Sequence, residues 1–155
     1  MLVVEIFNHN LNFKTPGGTS RGILKNKLTW YIKIYYGNKP SVYGLGECGP
    51  IEGLSIESGN KMMNQLKKVQ KSINDLSSLD LSLFPSIQFG IESALRDLKN
   101  GGKRIIFQNS FLDGKPIKIN GLIWMGNKDF MLNQIKSKIE KGFSCLKLKI
   151  GSIDF

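Results

Sequence analysis

The last third of the chain changes hydrophobic period twice, and this limits the folds open to it. Ile117–Met125 reads as a strand. From Asn127 to about Lys141 the apolar residues Met131, Ile135 and Ile139 recur at helical spacing, with Asn127 as the cap and Gly142 as the stop. Ser144–Gly151 alternates again. Strand, helix and strand with short joints form a βαβ unit, whose strands run parallel through a right-handed crossover. Parallel strands are normally covered on both faces.

The second strand carries the chemistry. Leu146, Leu148 and Ile150 fall on one side of it, and Cys145, Lys147 and Lys149 on the other. The two lysines are next neighbours on their face, rooted about 6.5–7 Å apart. Facing inward, they would confine two like charges, and repulsion with desolvation would lower a lysine pKa toward that of a working base. Facing outward, they would be solvated charges or edge-strand gatekeepers. The parallel context brings the inward arrangement level with the outward one.

Upstream the order differs. Residues 2–8 read as a strand. Lys14–Gly22 holds three glycines, a proline and three hydroxyl residues, and is expected to be a mobile surface loop. Arg21 there is either a clamp for an anion or an exposed arginine on a plain hairpin connection. Residues 27–36 form the clearest strand, Gly37–Pro40 turns the chain, and Ser41–Glu47 returns, giving an antiparallel three-strand meander. Gly44-Leu45-Gly46-Glu47-Cys48-Gly49 matches the letters GxGxxG. Its strand belongs to a hairpin and Pro50 follows in place of a helix, which excludes a dinucleotide site.

Two helices come next. Ser58 is positioned to cap the first, which runs to about Leu76 and buries Met62, Met63, Leu66, Val69, Ile73 and Leu76. The second runs from Phe84 or Pro85 to Asn100, buries Ile87, Ile91, Ala94, Leu95 and Leu98, pairs Glu92 with Arg96, and ends at Gly101-Gly102.

Composition removes other classes. The net charge is +10, yet arginine supplies only Arg21, Arg96 and Arg104 of 22 basic residues, and the lysines are spread along the chain. The densest group, Lys61, Lys67, Lys68 and Lys71, lies on one helix without interleaved aromatics, a solvated face and not a nucleic-acid footprint. No apolar run has the length of a membrane span, and residues 1–13 lack a signal-peptide pattern. Cys48 and Cys145 are far apart, which suits reduced thiols in a cytoplasmic protein. Cys48 has no base beside it in sequence, and His9 has no histidine partner.

Several segments together resemble the enolase superfamily, in its muconate-lactonizing subgroup and there the o-succinylbenzoate synthase family. They are Gly18-Thr19-Ser20-Arg21-Gly22, Gly46–Pro50 with Gly53-Leu54-Ser55, Phe89–Leu98, Ile119–Gly126 and Gly142–Gly151. The resemblance implies an α+β enolase-like N-terminal capping domain over residues 1–115, followed over 116–155 by the first β/α units of a TIM barrel. It implies that loops near 17–22 and 48–55 cover the site, with Ser20, Arg21 and Leu54 facing substrate. Lys149 would be the base that removes a proton α to a carboxylate, and Lys147 its partner. Magnesium would stabilise the enediolate, and loss of hydroxide would complete a syn dehydration in menaquinone biosynthesis.

The chain stops at Phe155, whereas a TIM barrel takes about 250 residues. Asp129, Glu140 and Asp154 fall on the helix or after the strand, so the metal ligands are expected beyond this sequence and the chain alone is expected to be inactive. Within the same superfamily, a dipeptide epimerase or N-acylamino acid racemase shares the Lys-x-Lys strand. Outside it, a small α+β binding module could use the two lysines only to hold an anion.

Overall fold

The structure is a computed structural model and describes residues 1–19, 22–57 and 59–148. It divides into two compact units, Met1–Leu11 with Lys27–Gln108, and Asn12–Asn26 with Asn109–Phe155.

The first unit is built on a sheet of order β1-β2-β3, with β1 at Leu2–Thr19, β2 at Gly22–Tyr36 and β3 at Tyr43–Cys48. Glu5 meets Lys33 while Phe7 stacks on Tyr31, so β1 and β2 run antiparallel. β2 pairs antiparallel with β3 from Trp30↔Cys48 to Tyr35↔Tyr43. Period-two alternation sorts β2: Trp30, Ile32 and Ile34 enter the core, while Tyr31, Lys33 and Tyr35 line the other face. On that outer face Glu5 accepts from Lys33 Nζ at 3.0 Å and from the Tyr35 hydroxyl at 2.8 Å. These two bonds, Lys33 first, hold the Glu5 carboxyl below its ordinary pKa.

Helices α1 (Gly59–Ser72) and α2 (Pro85–Lys99) cover the inner face with Met62, Leu66 and Val69 from the one and Ile87, Ile91 and Ala94 from the other. The contact of α2 with β3 is backbone on backbone. A Cβ at Gly44 would run into the Ala94 carbonyl, one at Gly46 into the Gly90 carbonyl, and one at Gly90 into Cys48 Sγ. Gly44 and Gly46, the first two glycines of the GxGxxG string, thus serve helix–strand packing. Asp97, fully buried on α2, accepts from Leu45 N at 3.0 Å, from Arg104 N at 2.6 Å and from the Arg104 guanidinium. Arg104 sits at φ 63°, and these bonds hold it there.

The first unit departs from the sequence reading in three places. The strand read as 2–8 continues to Thr19, so Lys14–Thr19 is extended and not a loop. β1 is an edge strand, where Pro16 forfeits no ladder donor the sheet needs. The helix expected to reach Leu76 stops at Ser72, and Leu76–Ser78 forms a 3-10 turn. Beyond that stop the Asn74 amide bonds Leu2 N at 2.8 Å and Leu2 O at 2.9 Å, and Gln70 donates to Val4 O at 3.1 Å, so the end of α1 covers the sheet edge. The Glu92–Arg96 pair is replaced: Glu92 accepts from Gln88, and Arg96 lies over the Phe107 ring at 4.7 Å. Ser58, the expected cap of α1, lies outside the described residues.

The second unit contains β4 (Gly121–Ile123), α3 (Lys128–Glu140) and β5 (Leu146–Leu148), with the tip of the β1–β2 hairpin. β4 and β5 are parallel, paired Gly121↔Leu146, Leu122↔Lys147 and Ile123↔Leu148. The Asn127 side chain caps α3 by accepting from Phe130 N at 2.9 Å, and Gly142 leaves the helix at φ 80°. β4 is shorter than the sequence suggested: residues 117–120 lie outside it, with Ile117 and Ile119 exposed. Of the α3 residues expected inward, Met131 is buried, Ile135 is half-buried and Ile139 is 60% exposed. The strand residues 149 and 150 of the sequence reading lie outside the described residues.

Replacing Gly90 with alanine separates two effects of opposite sign. Helix propensity favours alanine by about 1 kcal/mol, while overpacking against Cys48 and the Glu47 backbone costs about 1–3 kcal/mol or more. We expect Gly90→Ala to lower the urea midpoint; a raised midpoint would show that β3 and α2 do not touch.

Candidate functional site

The βαβ unit fixes where Lys147 points. A Cβ at Gly121 would meet Lys138 on α3 together with Phe143 and Leu146, so Gly121 faces the helix. By alternation Ile123 does too, and it is fully buried. Leu122 and its partner Lys147 therefore lie on the opposite face, away from α3, and both are exposed. The expectation that parallel strands are covered on both faces fails here, because this side of β4 and β5 has no layer against it among the described residues. Lys149, the expected base, and Ser20 and Arg21 lie outside the described residues.

Leu54 belongs to the first unit. It sits in a tight turn closed by Leu54 N and Ser55 N on Ile51 O, at 3.0 and 2.8 Å, with the Ser55 hydroxyl accepting from Ile51 N at 2.9 Å. The turn presents Leu54 outward, 41% exposed. The segment leaves β3 over a polar post that the sequence did not reveal. The Thr29 hydroxyl lies 2.8 Å from Glu47 Oε1 and 3.2 Å from Cys48 O, and Lys27 Nζ stands 3.8 Å from Glu47 Oε1, above Gly49. Glu57, buried just beyond the loop, accepts from Ser86 N at 2.8 Å and so answers the N-terminal dipole of α2, whose Phe84 N-cap has no side-chain bond.

Cys48 is no nucleophile. Burial first, then the Glu57 and Glu47 carboxylates, push its thiol up to about 12.

At the C-terminal end of β4 a second polar device appears. Gln134 on α3 grips the Trp124 backbone from both sides: its Oε1 accepts from Trp124 N at 2.8 Å and its Nε2 donates to Trp124 O at 2.9 Å. The indole N–H donates to Pro16 O at 3.2 Å. A cleft of about 310 Å³ lined by Lys118, Ile119, Lys141, Gly142, Phe143 and Ser144 opens at the other end, before the two strands begin. In β/α barrels the chemistry sits at the C-terminal ends of strands, so this cleft is on the wrong side for it. Among the described residues no group of three histidine, cysteine, aspartate or glutamate side chains could hold a metal ion. Nor is any described helix long and apolar enough to cross a membrane.

No family model matches the sequence. An o-succinylbenzoate synthase of Desulfotalea psychrophila is 34% identical over 181 residues, an alignment that takes in 94% of this chain and 48% of the relative. The crystal structure of MenC from the same organism superposes with a TM-score of 0.76 at 28% identity, covering 96% of this chain and 49% of that one. The o-succinylbenzoate synthase of Thermosynechococcus elongatus, solved with Mg in its active site, gives 0.73 at 18% identity over 98% of this chain and 44% of its own. A dipeptide epimerase of Cytophaga hutchinsonii, solved with Mg and D-Ala-L-Val, gives 0.66 at 22% identity over 97% and 44%.

An α+β meander with two covering helices, followed by a parallel β/α/β unit, is thus the architecture these enzymes share with the chain, which resembles enolase-superfamily proteins in fold and sequence. Within that superfamily its sequence is similar to o-succinylbenzoate synthase, and it spans about half the length of that curated relative.

The two thiols give a direct check. A disulfide-exchange reagent at pH 8 should modify exposed Cys145 at once and Cys48 only on unfolding. Because the folded thiol of Cys48 titrates near 12 against an ordinary value of 9.0, the unfolded chain loses that proton first as pH rises. Stability should therefore fall between these values, and less steeply in Cys48→Ala. Rapid native labelling of both cysteines would contradict the burial.

Proposed function

We propose that this chain supplies the capping domain, residues 1–115, and the lysine-bearing start of the barrel, residues 116–155, of an o-succinylbenzoate synthase-type lyase. The observation that carries the reading is the parallel β4–α3–β5 unit that turns Lys147 away from α3, in a chain similar to an o-succinylbenzoate synthase over 94% of its length. Lys149, two residues on, follows the same alternation in sequence.

In this reading neutral Lys149 takes the proton α to the substrate carboxylate. The C–H electron pair moves into the carboxylate as an enediolate, and the nearby Lys147 ammonium stabilises the added negative charge while disfavouring protonation of Lys149. Collapse of the enediolate forms the carbon–carbon double bond and expels hydroxide from the adjacent carbon on the same face. Ser20, Arg21 and Leu54 are proposed to face the substrate. Solved relatives hold magnesium, but the described residues offer no set of ligands for one, so no metal ligand is assigned to this chain and no step is drawn through a metal. The substrate is a small carboxylate and the setting cytoplasmic.

Epimerisation of a dipeptide is the second reading, favoured by the likeness to the Cytophaga hutchinsonii enzyme, since removing an α-proton is a step both reactions need. The 155-residue chain assayed alone with magnesium should be inactive. Joined to the second half of the Desulfotalea psychrophila relative, it should form o-succinylbenzoate, and Lys149→Ala should lower that turnover by about 10²–10⁴-fold. A folded chimera that epimerises dipeptides without dehydration would favour the second reading. Full turnover without Lys149 would remove it as the base.

A further inference from the structure

Trp124 directly follows β4, which ends at Ile123. The Gln134 side-chain amide answers both the N–H and the C=O of Trp124. A side chain whose own peptide groups are held in this way has a fixed direction. The indole uses that direction to reach a residue 108 positions away, the carbonyl of Pro16.

The receiving segment is shaped for it. Gly17 is buried beneath the indole, and a Cβ there would lie 3.1 Å from Trp124 Cζ2. Gly18 lies on Met125, where a Cβ would stand 3.5 Å from Cε. Apolar packing alone would need neither the amide clasp nor the directed N–H. The hairpin tip and β4 belong to one compact unit, so this fit is internal to it.

We infer that Trp124, clasped by Gln134, is a positioning residue that seats the hairpin tip Pro16–Gly18 at the C-terminal end of β4. That end is where β/α barrels carry out their chemistry, and the role in ligand binding rests on the function proposed above. The seating does not belong to the core: Trp124 is half-buried, and the hydrophobic cluster of the first unit does not include it.

Hydrogen–deuterium exchange on the whole 155-residue chain tests the seating. Trp124→Phe removes the N–H donor together with the Cζ2–Cη2 edge that lies over Gly17, while Gln134→Ala leaves the indole whole and removes only the clasp. Trp124→Phe should speed exchange of amides in 12–19 about fivefold, the value of one hydrogen bond, and leave β3 at 43–48 unchanged. Gln134→Ala should do the same. Unchanged exchange in 12–19 in both variants, or an equal rise in 43–48, would overturn the seating.

Binding tests the role. In the chimera with the second half of the Desulfotalea psychrophila relative, o-succinylbenzoate with magnesium should bind, read by calorimetry. Gln134→Ala should weaken that affinity about fivefold at unchanged thermal midpoint. Faster exchange with unchanged affinity would overturn the positioning role. No binding by the folded parent chimera would count against the proposed function and take the role with it, while the exchange result would still decide the seating.

Discussion

The structure of the first unit depends on how closely α2 lies against β3. Glycine at 44, 46 and 90 removes the side chains that would hold the two backbones apart, and the buried Asp97 carboxylate ties them together by taking Leu45 N–H across the gap. The same carboxylate fixes Arg104 and with it the path of the chain out of α2. An uncompensated carboxylate in that position would cost several kcal/mol, so its three donors are a requirement of the packing. With α2 set at this depth, Ile87, Ile91 and Ala94 meet the β2 residues Trp30, Ile32 and Ile34, and α1 closes the remaining face. The loop that carries Leu54 leaves from the end of this strand, so its starting point is as rigid as the contact itself.

The second unit works differently. Among the described residues its helix has a single buried residue, and polar clasps hold successive parts of it together. Asn127 caps α3, Gln134 holds Trp124, and Trp124 holds Pro16. Apolar side chains remain exposed on it, Leu122, Phe130, Ile139 and Leu148 among them. The relatives are about twice as long as this chain, and their resemblance to it extends through both units.

Much of this was legible in the sequence where a local signal exists. Asn127, Gly142 and Pro85 mark helix ends by chemistry that acts within one turn, and α2 and α3 begin and end where those residues say. The βαβ order was legible because joint length alone dictates parallel strands. What escaped depended on partners distant in sequence. Pro16-Gly17-Gly18 has turn composition, yet it is extended because an edge strand tolerates proline and an indole 108 residues away needs the glycines. Ile139 has the right period for burial, but periodicity does not say how much surface a neighbour supplies. The glycines of β3 matched a nucleotide motif in letters while serving a helix contact. Of the residues proposed for the site, Lys147 and Leu54 are among the described residues, and Lys149, Ser20 and Arg21 are proposed from the sequence alone.

The proposal to be tested is that Lys149 is the proton-abstracting base of an enolase-type site. The measurement closest to it is solvent deuterium incorporation at the substrate carbon α to the carboxylate, followed by NMR in the chimera with the Desulfotalea psychrophila second half. Incorporation that is present with the native strand and absent in Lys149→Ala, with the chimera still folded, is the result this account predicts. Incorporation that continues at an undiminished rate without Lys149 would contradict it.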